Sequence, residues 1–210
     1  MDYGVRGLEF TKSFLSKANI QHVGAGLNIE KARHPVIISK SGMSVGFLAY
    51  AKNGKHSAGI NLPGAVPINR SIIADDIQRL KTKVDIIVVS LHFGMIYTDY
   101  PVPEDQDLSR FIIQQGANVV IGHHPHVLQG VEYFEHGVIL YSLGEFIFDP
   151  TVGNIYSPAA RDIRCESLIA ELILEKRKAS LNLIPIILNN DYCPRTCNGK
   201  DAEVILKRVE

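Results

Sequence analysis

The sequence predicts a single α/β domain with mixed sheets, extending over residues 1–210, and three observations lead to this. Helical and strand patterns alternate along most of the chain. Residues 85–91 and 118–122 are nearly continuous apolar runs, which are typical of strands buried on both faces of a sheet. Residues 167–174 and 181–188 have the pattern of two paired antiparallel strands. A chain of 210 residues is long enough to bury one substantial core.

The first quarter of the chain predicts a helix followed by a hairpin. Apolar residues from Leu8 to Ala18 recur at helical spacing, and Asn19 is a plausible end of that helix. Residues 36–38 and 45–50 are apolar and flank the turn at Ser41 and Gly42, which indicates two strands joined by a tight turn.

The middle of the chain predicts a long loop and then alternating helices and strands. Residues 54–67 are rich in glycine and proline and predict the loop. Ile72, Ile73, Ile77 and Leu80 then mark an amphipathic helix, and Leu108, Phe111 and Ile112 mark a second one. After the strand at 118–122, residues 138–141 form a further short apolar strand. Pro185, in the last predicted strand, indicates a sheet edge or a bulge, since proline cannot donate to the ladder.

Composition excludes several classes of protein. Lys plus Arg and Asp plus Glu each total 22, so the net charge is zero and no nucleic-acid partner is expected. Cys165, Cys193 and Cys197 are too few for a disulfide framework, and their spacing disfavours a zinc knuckle. The chain contains neither a run of about 18 apolar residues nor an apolar signal-peptide region near residue 1.

Histidines occur where two predicted buried strands end. The two segments are Ser90-Leu91-His92-Phe93-Gly94 and Gly122-His123-His124-Pro125-His126. Ligand sites of open α/β sheets lie beyond the carboxyl ends of the strands, so both segments point to one edge if the strands are parallel neighbours. Imidazole is the commonest metal ligand and is neutral near pH 7. Metal binding is one interpretation of this pattern, and an exposed histidine-rich loop is the other.

Several ordered motifs resemble the CapA-like family of capsule and poly-γ-glutamate synthesis proteins, within the calcineurin-like metallophosphoesterase superfamily. The likeness covers essentially the whole chain. It is carried by both histidine segments with their preceding strands, by Tyr141-Ser142-Leu143-Gly144-Glu145-Phe146, and by residues 22–28 and 183–185. The resemblance implies a metallophosphoesterase-like two-sheet sandwich flanked by helices, lacking the first strand–helix–strand portion.

The same resemblance implies roles for the histidines. Superfamily members bind two divalent ions that activate a hydroxide for attack on phosphorus. By position, His92 and His124 resemble ligands of one ion, and His126 resembles a ligand of the other. His123 and Glu145 take supporting positions around these ligands. The implied metal is Mn, Fe or Zn.

This chain also departs from the family pattern. The family's Asp-x-His motif, bridging Asp and Asn-His pair would precede Met1, so we expect one ion rather than two here. The family usually has Asn where this chain has Glu145, and an acidic residue where it has Ile96.

Two functions from different classes follow from the resemblance. One is a metal-dependent hydrolase of capsule or poly-γ-glutamate biosynthesis that acts on a phosphoester or an anionic polymer. The other is a non-catalytic scaffold or polymer-binding subunit of the same synthesis and export machinery. A chain fragment without independent function is a third possibility. Family members are often anchored on the outer face of the membrane by a segment preceding this region.

Overall fold

The computed structural model describes residues 3–52, 54–147, 166–175, 178–188 and 193–210. Met1 and Cys165 lie outside these ranges. The strands are β1 (Ala25–Gly26), β2 (Val36–Lys40), β3 (Met43–Ala51), β4 (Gly64–Ala65), β5 (Ile86–His92), β6 (Val119–His123), β7 (Val131–Phe134), β8 (Gly137–Leu140), β9 (Glu166–Glu175), β10 (Lys178–Leu188) and β11 (Pro194–Thr196). The helices are α1 (Gly4–Lys17), α2 (Ile29–Ala32), α3 (Arg70–Lys81), α4 (Pro103–Gln115) and α5 (Lys200–Lys207), and a 3₁₀ turn covers Gly54–His56.

The helices that cover the main sheet begin at residues suited to helix N-termini. The side chain of Asn69 accepts a hydrogen bond from the backbone N–H of Ile72 and caps α3. Pro103 opens α4, where its missing N–H costs nothing, and Gly116 ends α4 with a left-handed φ of 117°. The residue types at these positions thus fix where α3 begins and where α4 begins and ends.

A six-stranded sheet forms the centre of the molecule, in the order β2-β3-β5-β6-β8-β7. The four inner strands β3, β5, β6 and β8 run parallel, and the edge strands β2 and β7 are antiparallel to their neighbours. The inner strands are apolar on both faces because both faces are covered. Their carboxyl ends therefore lie along one edge of the sheet.

The two faces of this sheet pack against different layers. On one face, Ile73 and Ile77 of α3 and Ile112 of α4 are fully buried against residues such as Val89 and Leu91 of β5. On the other face, Leu172 of β9 and Leu181 of β10 pack on alternate residues of β5 and β6. The second sheet, β11-β10-β9, is antiparallel. The predicted α/β class, with two packed sheets and flanking helices, is confirmed, and β1 and β4 form a further two-stranded sheet.

Two local expectations need correction, and one helix was missed. Pro185 lies without a bulge in the central strand of the second sheet, and its carbonyl accepts a hydrogen bond from the N–H of Cys197 at 3.1 Å, just beyond the residues that pair with β11. The expected loop at 54–67 contains the 3₁₀ turn and β4, which pairs with β1. Helix α5 was not predicted, and its Ile205 is buried against Leu128 and Leu168.

None of the helices in the described ranges has the length and apolar character that crossing a bilayer requires.

Candidate metal centre

The predicted histidine segments meet at the carboxyl edge of the central sheet. Strands β5 and β6 are parallel neighbours, and their register pairs His92 with His123. The backbone N–H of Phe93 then donates to the carbonyl of His123 at 3.0 Å, which extends the pairing one residue further. Because side chains alternate along a strand, both histidines share the face of Ile86, Val88 and Val119, towards the second sheet.

The turn after β6 brings two more histidines to this edge. The ring centroids of His92 and His124 are 4.7 Å apart, and those of His124 and His126 are 5.8 Å apart. His124 and His126 have φ angles of 107° and 61°, in the left-handed region that non-glycine residues rarely occupy. Such strain persists only where the surrounding structure enforces it, and it is concentrated at functional sites.

Contacts from the loop after β5 hold this turn in place. The backbone N–H of Tyr97 donates to the carbonyl of Pro125 at 2.9 Å, and the Tyr97 ring lies 5.8 Å from the His126 ring. Gln129, which is buried, donates from Nε2 to the carbonyl of Thr98 at 2.8 Å. Sequence reasoning missed Tyr97 and Gln129, because neither is a ligand type and both act through contacts between segments distant in sequence.

Glu145 contacts the third histidine directly. Its Oε1 lies 2.6 Å from Nδ1 of His126, and its side chain is only 9% exposed, against 33% for His126. Gly144 precedes it with a φ of 73°, which turns the chain back towards the histidines. An ionised carboxylate only accepts hydrogen bonds, so with Glu145 ionised the donor of this bond is Nδ1 of His126.

The surroundings favour neutral imidazoles. Partial burial lowers the pKa of His92, and the neighbouring imidazoles, His124 first, lower it further. Partial burial also lowers the pKa of His123 and of His124, with a further contribution from His126 in the second case. A neutral imidazole keeps a lone pair that can bind a metal without first losing a proton.

The spacing of the rings suits metal binding in pairs. With metal–nitrogen distances of about 2.1 Å, two imidazoles on one ion have ring centroids about 5 Å apart. The pairs His92–His124 and His124–His126 lie near this value. In the described ranges, no three His, Cys, Asp or Glu side chains are grouped closely enough to hold one ion. The ring spacings are thus compatible with an ion shared by two imidazoles, and no closed site is preassembled among the described residues.

Comparison with known proteins places this arrangement in a family. Residues 1–150 match the family model described as "Bacterial capsule synthesis protein PGA_cap". The chain belongs to the PGA_cap family. The match includes β5, β6 and β8 together with His92, His124, His126 and Glu145.

Two relatives of this PGA_cap chain come from Bacillus. The "PGA biosynthesis protein CapA" of Bacillus subtilis (strain 168) is 37% identical over 152 residues, covering 71% of this chain and 40% of the relative. The "Capsule biosynthesis protein CapA" of Bacillus anthracis is 32% identical over 154 residues, covering 70% of this chain and 38% of the relative. The matched region thus spans about 40% of these relatives' length.

A solved structure agrees on the fold. A putative 5'-nucleotidase from Staphylococcus aureus superposes with a TM-score of 0.55 at 15% sequence identity, covering 98% of this chain and 39% of that one. At this identity the likeness concerns the fold alone, which this chain shares with that 5'-nucleotidase structure.

Proposed function

We propose that this chain is the histidine-bearing part of a capsule or poly-γ-glutamate biosynthesis protein, and that it binds a divalent metal for hydrolysis of a phosphoester or of a bond in an anionic polymer. The observation that carries the proposal is the His92–His124 ring pair, 4.7 Å apart at the carboxyl edge of the sheet. The names of the Bacillus relatives, which refer to PGA and capsule biosynthesis, support the biological setting.

In this proposal each residue has a definite task. His92 and His124 hold the ion through neutral rings, and His126 adds a third imidazole when the site closes. His123 packs beside His92 on the next strand, and Glu145 supports His126. A bound divalent ion polarises the scissile group and lowers the pKa of a water molecule. Imidazole ligation suits Fe or Zn, the family resemblance adds Mn, and we expect one ion per chain.

One observation favours the second candidate, a non-catalytic scaffold or polymer-binding subunit of the same machinery. Within the part of the chain that is described, no three potential ligands converge, and Nδ1 of His126 is engaged by Glu145. If the histidines serve only the structure, replacing them will leave capsule formation intact in a cell that depends on this protein.

The deciding experiment measures the metal content of the purified chain after incubation with Mn²⁺ or Zn²⁺ and desalting. We expect about one ion per chain, lost in the double variant His124→Ala/His126→Ala. His136→Ala is the matched control, because His136 is exposed and lies just before the start of β8, at the end of the parallel strands opposite their carboxyl edge. Absence of bound metal, or equal metal in the double variant and the wild type, would favour the scaffold.

A further inference from the structure

Glu145 is the acidic side chain that supports His126 in the proposed function, through the bond between its Oε1 and Nδ1 of His126. Its side chain is 9% exposed, and its Oε1 contacts a histidine whose side chain is 33% exposed. Glu145 is therefore the more buried partner of this bond. Burying a carboxylate is costly unless it is hydrogen-bonded, and the bond to His126 offsets part of this cost for Glu145.

The backbone that precedes Glu145 is anchored to neighbouring segments. Leu143 forms a bridge with Leu128, and its carbonyl accepts a hydrogen bond from the N–H of Leu168 at 3.1 Å. The hydroxyl of Ser167 also donates to that carbonyl at 2.8 Å. Glu145, two residues after Leu143, therefore follows a segment that is hydrogen-bonded to the second sheet.

The His126 ring also lies near an aromatic residue. The Tyr97 ring centroid lies 5.8 Å from that of His126, and the Tyr97 N–H is bonded to the carbonyl of Pro125. The ring of His126 is therefore restrained by Glu145 through Nδ1 and contacted by Tyr97. A ring restrained in this way has one nitrogen atom left for a ligand.

We propose that Glu145 is a positioning residue that keeps the proton of His126 on Nδ1, so that Nε2 is the atom offered to the metal. This inference rests on the proposed function, in which His126 is a ligand. A carboxylate hydrogen-bonded to a metal-binding histidine fixes its tautomer and orientation and makes its free nitrogen a stronger ligand. The negative charge of Glu145 also adds to the attraction for a divalent cation.

The tautomer can be measured without any metal. Two-bond ¹H–¹⁵N spectra of the metal-free protein distinguish a protonated from an unprotonated ring nitrogen. We expect His126 to carry its proton on Nδ1 in the wild type and to shift towards the Nε2–H form in Glu145→Ala. Glu145→Gln retains a neutral acceptor and should give an intermediate population. A wild-type Nε2–H form, or the same tautomer in Glu145→Ala, would overturn the proposal.

Metal affinity then separates this proposal from the proposed function. We expect Glu145→Ala to weaken Zn²⁺ binding by about 10- to 100-fold, as removal of such a partner does elsewhere, with Glu145→Gln weakened less. The control is Glu132→Gln, because Glu132 is also a partly buried carboxylate but pairs with Arg110 and Tyr141. Wild-type affinity in Glu145→Ala would overturn the positioning role alone. Absence of Zn²⁺ binding in the wild type, with a tautomer that still depends on Glu145, would instead overturn the metal-site function.

Discussion

At the scale of single residues, the partial burial of three imidazoles has a consequence for stability. His92, His123 and His124 each have a pKa below the ordinary value of 6.5, chiefly because part of each ring is removed from water. The unfolded chain takes up protons as the pH falls through about 6.5, whereas the folded chain resists protonation until lower pH. These histidines therefore contribute stability above pH 6.5 that is lost as the pH falls through their lowered pKa values.

We predict that the free energy of unfolding decreases between pH 7.5 and pH 5.5, and that it decreases less in the double variant His92→Gln/His124→Gln. The difference should be modest, because the rings are partly exposed and solvent screens their charges. Urea unfolding of both proteins at the two pH values measures it. Burial raises the pKa of Asp105 and Glu166, but both proteins keep these carboxyl groups, so the comparison isolates the imidazoles. An identical pH dependence would contradict the prediction.

At the scale of elements, β6 packs closely against the backbone of Tyr141 and the ring of Phe93, and this contact sets the position of the histidine segment that follows. Gly122 is the fourth residue of β6 and directly precedes His123. A β-carbon at Gly122 would overlap the carbonyl oxygen of Tyr141 and would lie 2.7 Å from Cε1 of Phe93. A glycine is required here because neighbouring backbone occupies the space of a side chain.

We predict that Gly122→Ala lowers the free energy of unfolding by about 2 kcal/mol or more, because backbone cannot yield as a flexible side chain can. Chemical denaturation of the variant measures this loss. Gly130→Ala is the matched control, since a β-carbon there would meet nothing closer than 3.9 Å. Similar stabilities of the two variants would show that β6 can shift without cost.

At the scale of the whole molecule, the helices are tied to the core very unequally. Helix α3 buries Ile73, Asp76, Ile77 and Leu80, whereas no residue of α1 is buried. Phe10 and Phe14 of α1 are more than half exposed. Local opening requires least free energy where few apolar contacts are lost, so α1 should be the less protected helix.

We predict that backbone amides of α1 exchange with deuterium at least roughly 100-fold faster than those of α3, because α1 can open without disturbing the core. Hydrogen–deuterium exchange followed by mass spectrometry compares the two helices within one sample. Equal protection of α1 and α3 would show that α1 is held by interactions that its burial does not reveal. The extent of the predicted single domain, residues 1–210, stays a prediction.

Much of this molecule could be predicted from local sequence. The uninterrupted apolar runs of β5 and β6 identified strands covered on both faces, because only a parallel inner strand tolerates such composition. Helical periodicity identified α3 and α4. The same apolar runs predicted that His92 and residues 123–126 lie at strand ends, because residues that follow a buried strand emerge at the edge of the sheet. The motif pattern identified the family.

The tertiary structure alone decided how these residues meet. Only the parallel pairing of β5 with β6 brings His92 to within 4.7 Å of His124, measured between ring centroids. The bond between His126 and Glu145 joins residues 19 apart in sequence. Tyr97 and Gln129 anchor the turn through contacts between residues up to 31 apart. Such contacts depend on how loops fold back after the strands end, and no local periodicity encodes that path. The sequence therefore determined which residues reach the sheet edge, and packing decided which of their atoms face one another.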